Sequence, residues 1–264
     1  MKTKLFFISI LFTAIFSLRA NCQTYSQKNS STPAFFTLNI KKGDKLANIY
    51  SRTIAFTGDD FAPLVFRVSG SSTYEVVDNN PLKPRFNETD LYDGRALSTG
   101  LSEIGFDGKG SYNGNSFTNT SASGLLYSSL VWGPIPAQVK EGDSWQVAIT
   151  QAWELGGPGK QTITAITVDA KHNTVTLKRE GSSEGFYDND LKQIEVTLKD
   201  GKKVKMNLTP GVSHWQGFTT FKNGIVLSDE LLVTRPVTLA TDSLHFTGNQ
   251  REYILLNAMP AEKL

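Results

Sequence analysis

Alternation of apolar and polar residues along the second half of the chain restricts it to antiparallel β structure. The stretch "SWQVAITQAW", residues 144–153, shows this alternation most clearly. In an extended strand successive side chains point to opposite faces, so the large apolar residues of this stretch share one face, which is interrupted only by Gln151. These residues are Trp145, Val147, Ile149 and Trp153. The stretch therefore predicts a strand with one buried face.

Turn signals divide the second half into consecutive strands. The glycines and proline of "LGGPG" end the first of these strands. Asp200-Gly201 and Asn223-Gly224 are dipeptides typical of tight β-hairpins. No segment beyond the N-terminal leader shows a helical period over three turns. We therefore predict an antiparallel β meander over residues 139–264.

The first half carries looser strand-like segments. Residues 34–138 include "AFFTLNI", "PLVFRVSG", "STYEVV" and "GLLYSSLVW", and we interpret them as a first β region. Residues 79–123 are rich in Gly, Ser, Asn and Asp, which predicts long loops or short edge strands. The edge strands of a long meander carry unpaired N–H and C=O groups that have to be paired or covered. The predicted fold class is therefore all-β, with both regions packed as one domain in a curved sheet that is barrel-like or a two-sheet sandwich.

Two segments of the chain resemble each other. "IKKGDKLANIY" (40–50) and "VKEGDSWQVAI" (139–149) share a β-branched residue, a lysine and Gly-Asp ahead of a strand. One interpretation is an internal duplication. The other is a Gly-Asp turn that enters two unrelated strands, and both interpretations stay open at the level of sequence.

The N-terminus has the layout of a secretory signal peptide. Two lysines precede an apolar run over residues 5–18 that is too short for a comfortable membrane span, and small residues follow. We place cleavage after Cys22, which gives a signal peptide over 1–22 and a polar, flexible leader over 23–33. Cleavage after Ala20 and a lipid anchor on Cys22 are the alternatives. The sequence thus predicts an exported protein, periplasmic or extracellular, that does not span the membrane.

Charge and metal-ligand content exclude several function classes. Loss of Lys2, Lys4 and Arg19 with the signal peptide reduces 27 basic residues to 24, against 25 acidic residues. No basic patch remains to bind nucleic acid. The mature chain keeps three histidines and no cysteine, which leaves no zinc-ligand spacing. We therefore predict no nucleic-acid partner, no metal site and no cofactor.

The stretch "GVSHWQG" places Ser213 beside His214 and raises the question of a serine nucleophile. A nucleophile elbow needs a glycine two residues to either side of the serine, followed by a helix. Trp215 occupies the second glycine position, and the segment continues as a strand. Adjacent residues of a strand face opposite ways, so the two side chains are expected to diverge.

Aromatic residues are the candidates for a binding surface. Trp145 and Trp153 lie on the apolar stripe and are expected in the core. Trp132 and Trp215 flank glycine-rich loops, so we predict them, together with Phe218, as ligand-binding residues. Their rings would either line an apolar cavity or be exposed and stack on sugars.

Paired carboxylates are what glycoside hydrolysis requires. The candidate catalytic residues flank turns of the meander; they are Glu154, Glu180 and Glu184. Their separations in space do not follow from their positions in the chain. Solvated strand ends are the alternative explanation for all three.

Three functional hypotheses follow from these patterns. The first is an exported binding protein for an amphiphilic or partly apolar small ligand in the cell envelope, because a curved sheet offers a concave pocket. The second is a β-sandwich that binds or hydrolyses polysaccharide, which makes a glycan the partner. The third is an envelope interaction protein without a small ligand.

Overall fold

The computed structural model describes residues 35–92, 95–118, 124–136, 138–153, 155–185 and 192–259. It is 66% strand and 2% helix, which confirms the predicted all-β class. The predicted signal peptide and leader, residues 1–33, lie outside the described residues. The strands are β1 (Lys45–Thr57), β2 (Leu64–Asp78), β3 (Arg85–Tyr92), β4 (Arg95–Ile104), β5 (Lys109–Tyr112), β6 (Asn115–Thr118), β7 (Ser144–Ile149), β8 (Gly159–Asp169), β9 (Thr174–Ser183), β10 (Gln193–Thr197), β11 (Lys203–Pro210), β12 (Ser213–Lys222), β13 (Ile225–Ala240) and β14 (His245–Met259), with one helical turn, α1 (Ser129–Trp132), between β6 and β7.

The described strands belong to one antiparallel sheet of 14 strands that is not closed. Twelve of them follow the order β6-β5-β4-β3-β2-β1-β14-β13-β12-β9-β8-β7. Off this path, β10 pairs with β11, which in turn pairs with the last four residues of β13. β1 pairs with β14 along residues 47–57, so the two regions predicted from the sequence share one sheet. The predicted long antiparallel meander is confirmed as a single open sheet.

Both predicted hairpin turns are present. Asn223-Gly224 joins β12 to β13, and its residues have φ of 52° and 79°, as a two-residue type I′ turn requires. Asp200-Gly201 joins β10 to β11 with Gly201 at φ 84°. Its loop is one residue longer than predicted, because the N–H of Leu198 donates to the carbonyl of Lys202 at 2.8 Å and leaves three residues between them.

The expectation of a strand over residues 124–132 is wrong: the first part makes only one isolated bridge, from Leu126 to Ile225, and the last four residues form α1. The helical turn is stabilised from outside its own sequence. The hydroxyl of Tyr127 donates to the backbone carbonyls of Trp132 and Gly133, at 3.2 and 2.8 Å. These bonds satisfy carbonyls that a helix end leaves without a partner in the helix. The local sequence has no helical period of apolar residues from which this turn could be predicted.

The sheet has two chemically different faces. Along β12 from Ser213, and along β13 from Asp229, the odd-numbered residues are buried and the even-numbered residues are mostly exposed. This is the alternation expected of strands with one buried side. We call the buried side the inner face and the exposed side the outer face.

Three apolar clusters among the described residues fill the inner face. The largest packs α1, Phe35 and Phe36 against β7, β8, β9, β12, β13 and β14. It contains Trp153, as predicted. The second packs β10 and β11 over the ends of β1 and β13, with Met206 fully buried. The third joins Ile40 and neighbours of α1 to β2 and β3. The inner face is therefore covered largely by the chain itself.

A buried ion pair lies within the largest cluster. Nη2 of Arg179, on β9, donates to both carboxylate oxygens of Asp229, on β13, each at 2.7 Å. The hydroxyl of Thr219 donates to the same carboxylate. The guanidinium lies 4.7 Å from the centre of the Trp132 ring. Neither charged side chain is more than 1% exposed, so the pair connects β9, β12, β13 and α1 inside the core.

The two Gly-Asp turns, at residues 41–44 and 140–143, have the same geometry. In each turn the lysine N–H donates to the aspartate carboxylate, and the aspartate N–H donates back to the lysine carbonyl. The glycine has φ of 89° in both, and its N–H donates to the second strand of the following hairpin. The matching bonds are Lys41 N to Asp44 Oδ2 (2.7 Å), Lys140 N to Asp143 Oδ2 (2.8 Å), and Gly43 N to Val76 O and Gly142 N to Ala165 O (both 2.8 Å).

Candidate functional site

Two of the three aromatic residues predicted to bind ligand lie in the core. Trp132 is 4% exposed and Trp215 is 3% exposed, and both belong to the largest apolar cluster. The expectation that they are exposed for stacking on sugars is therefore wrong. Glycine near Trp215 makes room for the ring rather than forming an open loop: a Cβ at Gly181, directly opposite on β9, would overlap the indole.

The third aromatic residue, Phe218, is on the outer face and is 45% exposed. Leu232 and Tyr253 lie beside it, with exposed fractions of 39% and 38%. Together these side chains line a hollow of about 280 Å³ in the outer face. The remaining lining residues are Lys178, Gln216, Gly217 and Glu230.

The strand register brings the lining residues together. Phe218 of β12 lies opposite Lys178 of β9 on one side and Glu230 of β13 on the other. In the next row, Leu232 of β13 lies opposite Tyr253 of β14. Directly opposed side chains in antiparallel strands have Cβ atoms about 5 Å apart. The two rows therefore form one continuous patch across four strands.

Paired polar groups border the apolar floor of the hollow. The Tyr253 hydroxyl donates to Oε1 of Glu230 at 2.8 Å. Because Glu230 accepts this bond, it raises the pKa of the Tyr253 phenol and favours the neutral form. Nζ of Lys178 lies 2.8 Å from Oε1 of Glu180. The hollow is thus lined by one carboxylate, Glu230, and one ammonium, Lys178, whose formal charges balance.

The candidate acid–base residues do not face one another in the part of the chain that is described. Glu180 is half exposed and paired with Lys178. Glu184 is exposed just beyond the end of β9. Four residues of extended chain place their backbones roughly 13 Å apart. Glu154 lies outside the described residues, and the catalytic role of all three stays a prediction.

Ser213 and His214 diverge, as the strand interpretation predicts. The Ser213 hydroxyl is buried on the inner face and donates to the carbonyl of Leu155 at 2.6 Å. His214 is exposed on the outer face. The dipeptide therefore does not form a nucleophile–base contact.

A polar cluster on the inner face of β2, β3 and β4 was not predicted from the sequence. Glu88 and Asp90 lie opposite Tyr74 and Ser72, respectively. The Ser72 hydroxyl donates to Oδ1 of Asp90 at 2.5 Å, and the Ser98 hydroxyl donates to Oδ2 at 3.1 Å. The sequence signal is weak, because in "FNETD" only Phe86 marks the buried face and the next two residues on that face, Glu88 and Asp90, are charged.

This cluster makes stability depend on pH. Burial raises the pKa of the Glu88 carboxyl, and the charge of Asp90 raises it further. The folded protein then binds this proton more tightly than the unfolded chain does. The resulting contribution to stability is full below the ordinary glutamate pKa and is lost as the pH rises through the raised pKa.

We therefore expect Glu88→Gln to melt at a higher temperature than the unchanged protein at pH 7. The two proteins should converge below about pH 4, where both side chains are neutral. Thermal unfolding followed by circular dichroism over a pH series measures the difference. Glu75→Gln, at an exposed position of β2, is the control and should show no such trend. A Glu88→Gln protein that melts below the unchanged protein at pH 7 would contradict the expectation.

The described residues contain no group of three or more His, Cys, Asp or Glu side chains arranged to hold a metal ion. In the same ranges, no helix combines the length and the apolar character needed to cross a bilayer. The chain matches no protein-family model and no curated protein.

Proposed function

We propose that the protein binds a small, partly apolar molecule that carries a hydrogen-bond donor, in the outer-face hollow around Phe218. The observation that supports this proposal is the shared exposure of Phe218, Leu232 and Tyr253 in one concavity. Single exposed apolar side chains are ordinary on protein surfaces, whereas neighbouring ones grouped beside polar residues mark interaction sites.

The chemistry of the hollow favours an amphiphile over a wholly apolar ligand. The rings of Phe218 and Tyr253 supply apolar contact, and the Glu230 carboxylate supplies an acceptor between them. An amine or hydroxyl on the ligand would donate to this carboxylate.

Size restricts the ligand further. A volume of about 280 Å³ lies near the lower limit of ligand pockets, which is about 300 Å³. Two or three rings, or a short alkyl chain, would fill it. We place this binding activity in the periplasm or outside the cell, because the N-terminal sequence has the layout of a signal peptide.

Titration with N-phenyl-1-naphthylamine tests the proposal, since this probe combines two apolar ring systems with one N–H donor. The unchanged protein should give saturable, blue-shifted fluorescence. Phe218→Ser should weaken binding by about tenfold, because losing the apolar contact of one aromatic side chain costs roughly 1.5 kcal/mol.

His214→Ser is the matched control for this titration. It changes an exposed residue of the same strand and the same face that does not line the hollow, so binding should be unaffected. Equal binding by Phe218→Ser and the unchanged protein would show that the probe binds elsewhere. Absence of saturable binding by the unchanged protein would also reject the proposal.

A further inference from the structure

We infer that two copies of this chain associate through the free edge of β7 and form one continuous antiparallel sheet. β7 is the last strand of the sheet. It pairs with β8 along its whole length, and within the described ranges no backbone hydrogen bond reaches its other edge. The N–H and C=O groups that point outward from this edge are a template for another strand.

β1 is the strand of the first half that corresponds to β7, and its edge facing away from its own hairpin partner is paired. β1 and β7 follow Gly-Asp turns of the same geometry, and each pairs with the strand that comes next. β1 also pairs on its other side with β14 over residues 47–57. β7 stands in the same relation to its hairpin but has no equivalent neighbour in the described part of the chain.

β7 also lacks the features that usually protect an exposed edge. Its sequence, SWQVAI, contains no charged residue and no proline. Its register with β8, over residues 144–149 and 159–164, contains no bulge. Charges, prolines and bulges are the common means of preventing strand addition. At the opposite end of the sheet, β6 spans only four residues and offers a much shorter template.

A second copy of β7 is the partner that the side chains favour. A two-fold axis perpendicular to the sheet pairs β7 with itself in the antiparallel sense and keeps both inner faces on the same side. Val147 and Ile149, which are buried on the inner face, would then extend the apolar stripe of the other copy. The acidic turn with Glu141 and Asp143 would lie opposite the uncharged residues 150–153. Like charges therefore do not meet.

Sedimentation velocity over a concentration series tests this inference. The unchanged protein should show a monomer–dimer equilibrium. Gln146 is exposed near the middle of β7, so Gln146→Lys would place like charges close together across the axis. We expect it to weaken association by about tenfold, and Gln146→Glu should do the same.

A mixture of the two variants separates a contact at β7 from a folding defect. Equal amounts of Gln146→Lys and Gln146→Glu should associate again, because opposite charges then face each other. Ser116→Lys, on the exposed edge strand β6, is the control and should leave association unchanged. A protein that stays monomeric at all concentrations, or variants that do not associate when mixed, would overturn the inference. Neither outcome bears on probe binding at Phe218, which is a separate site.

Discussion

Asp229→Ala is expected to lower the free energy of unfolding by about 3–5 kcal/mol. The substitution leaves the guanidinium of Arg179 buried without the carboxylate that accepts its hydrogen bonds at 2.7 Å. Contact with the face of the Trp132 ring, 4.7 Å away, offsets only part of this loss. Denaturant unfolding followed by tryptophan fluorescence measures the change.

A double substitution tests whether the loss is electrostatic. Arg179→Met with Asp229→Leu removes both charges and should cost much less than Asp229→Ala, because apolar replacement of a whole buried pair is often neutral. Glu195→Ala removes an exposed ion pair with Lys203 and should cost less than about 1 kcal/mol. An Asp229→Ala protein as stable as Glu195→Ala would mean that the buried pair does not stabilise the core.

Trp215→Ala is expected to cost about 3–5 kcal/mol of unfolding free energy, whereas Phe218→Ala on the same strand should cost less than about 1 kcal/mol. Trp215 is 3% exposed and packs edge-to-face on Trp153, with ring centres 4.9 Å apart. Phe218 projects from the opposite face into solvent. The same pair of variants, titrated with N-phenyl-1-naphthylamine, should show the reverse order of effects on binding.

The contact between Trp215 and Gly181 gives a second readout. A Cβ at Gly181 would overlap the indole and also approach the carbonyl of Lys160, so Gly181→Ala should be destabilising in the unchanged protein. Part of that cost should disappear in the Trp215→Ala background, with a coupling energy of about 0.5–3 kcal/mol. If Trp215→Ala left stability unchanged and abolished probe binding, Trp215 would be a ligand-contact residue, as the sequence predicted.

The strands of the second half and their hairpins were predictable from the sequence. Val147 and Ile149 alternate with small or polar residues because successive side chains of any extended chain point to opposite faces. Asn223-Gly224 predicted its turn because both residues tolerate positive φ. These are local properties, so a single sequence is enough to recognise them. The one-turn helix α1 was missed because the Tyr127 side chain, rather than a helical period, satisfies its last carbonyls.

The tertiary structure was needed to show which residues of different strands meet and which of the two aromatic-bearing faces of β12 is buried. Trp215 and Phe218 are both aromatic and lie three positions apart, so the strand sends them to opposite faces. The buried face of β12 is the one that packs with α1 and with the inner face of β9. β9 is the direct neighbour of β12 in the sheet, although β10 and β11 separate the two strands in the sequence. The hollow at Phe218 and the cluster at Glu88 likewise arise from the register of neighbouring strands. Register is set by contacts between segments remote in sequence, and a local pattern contains no information about them.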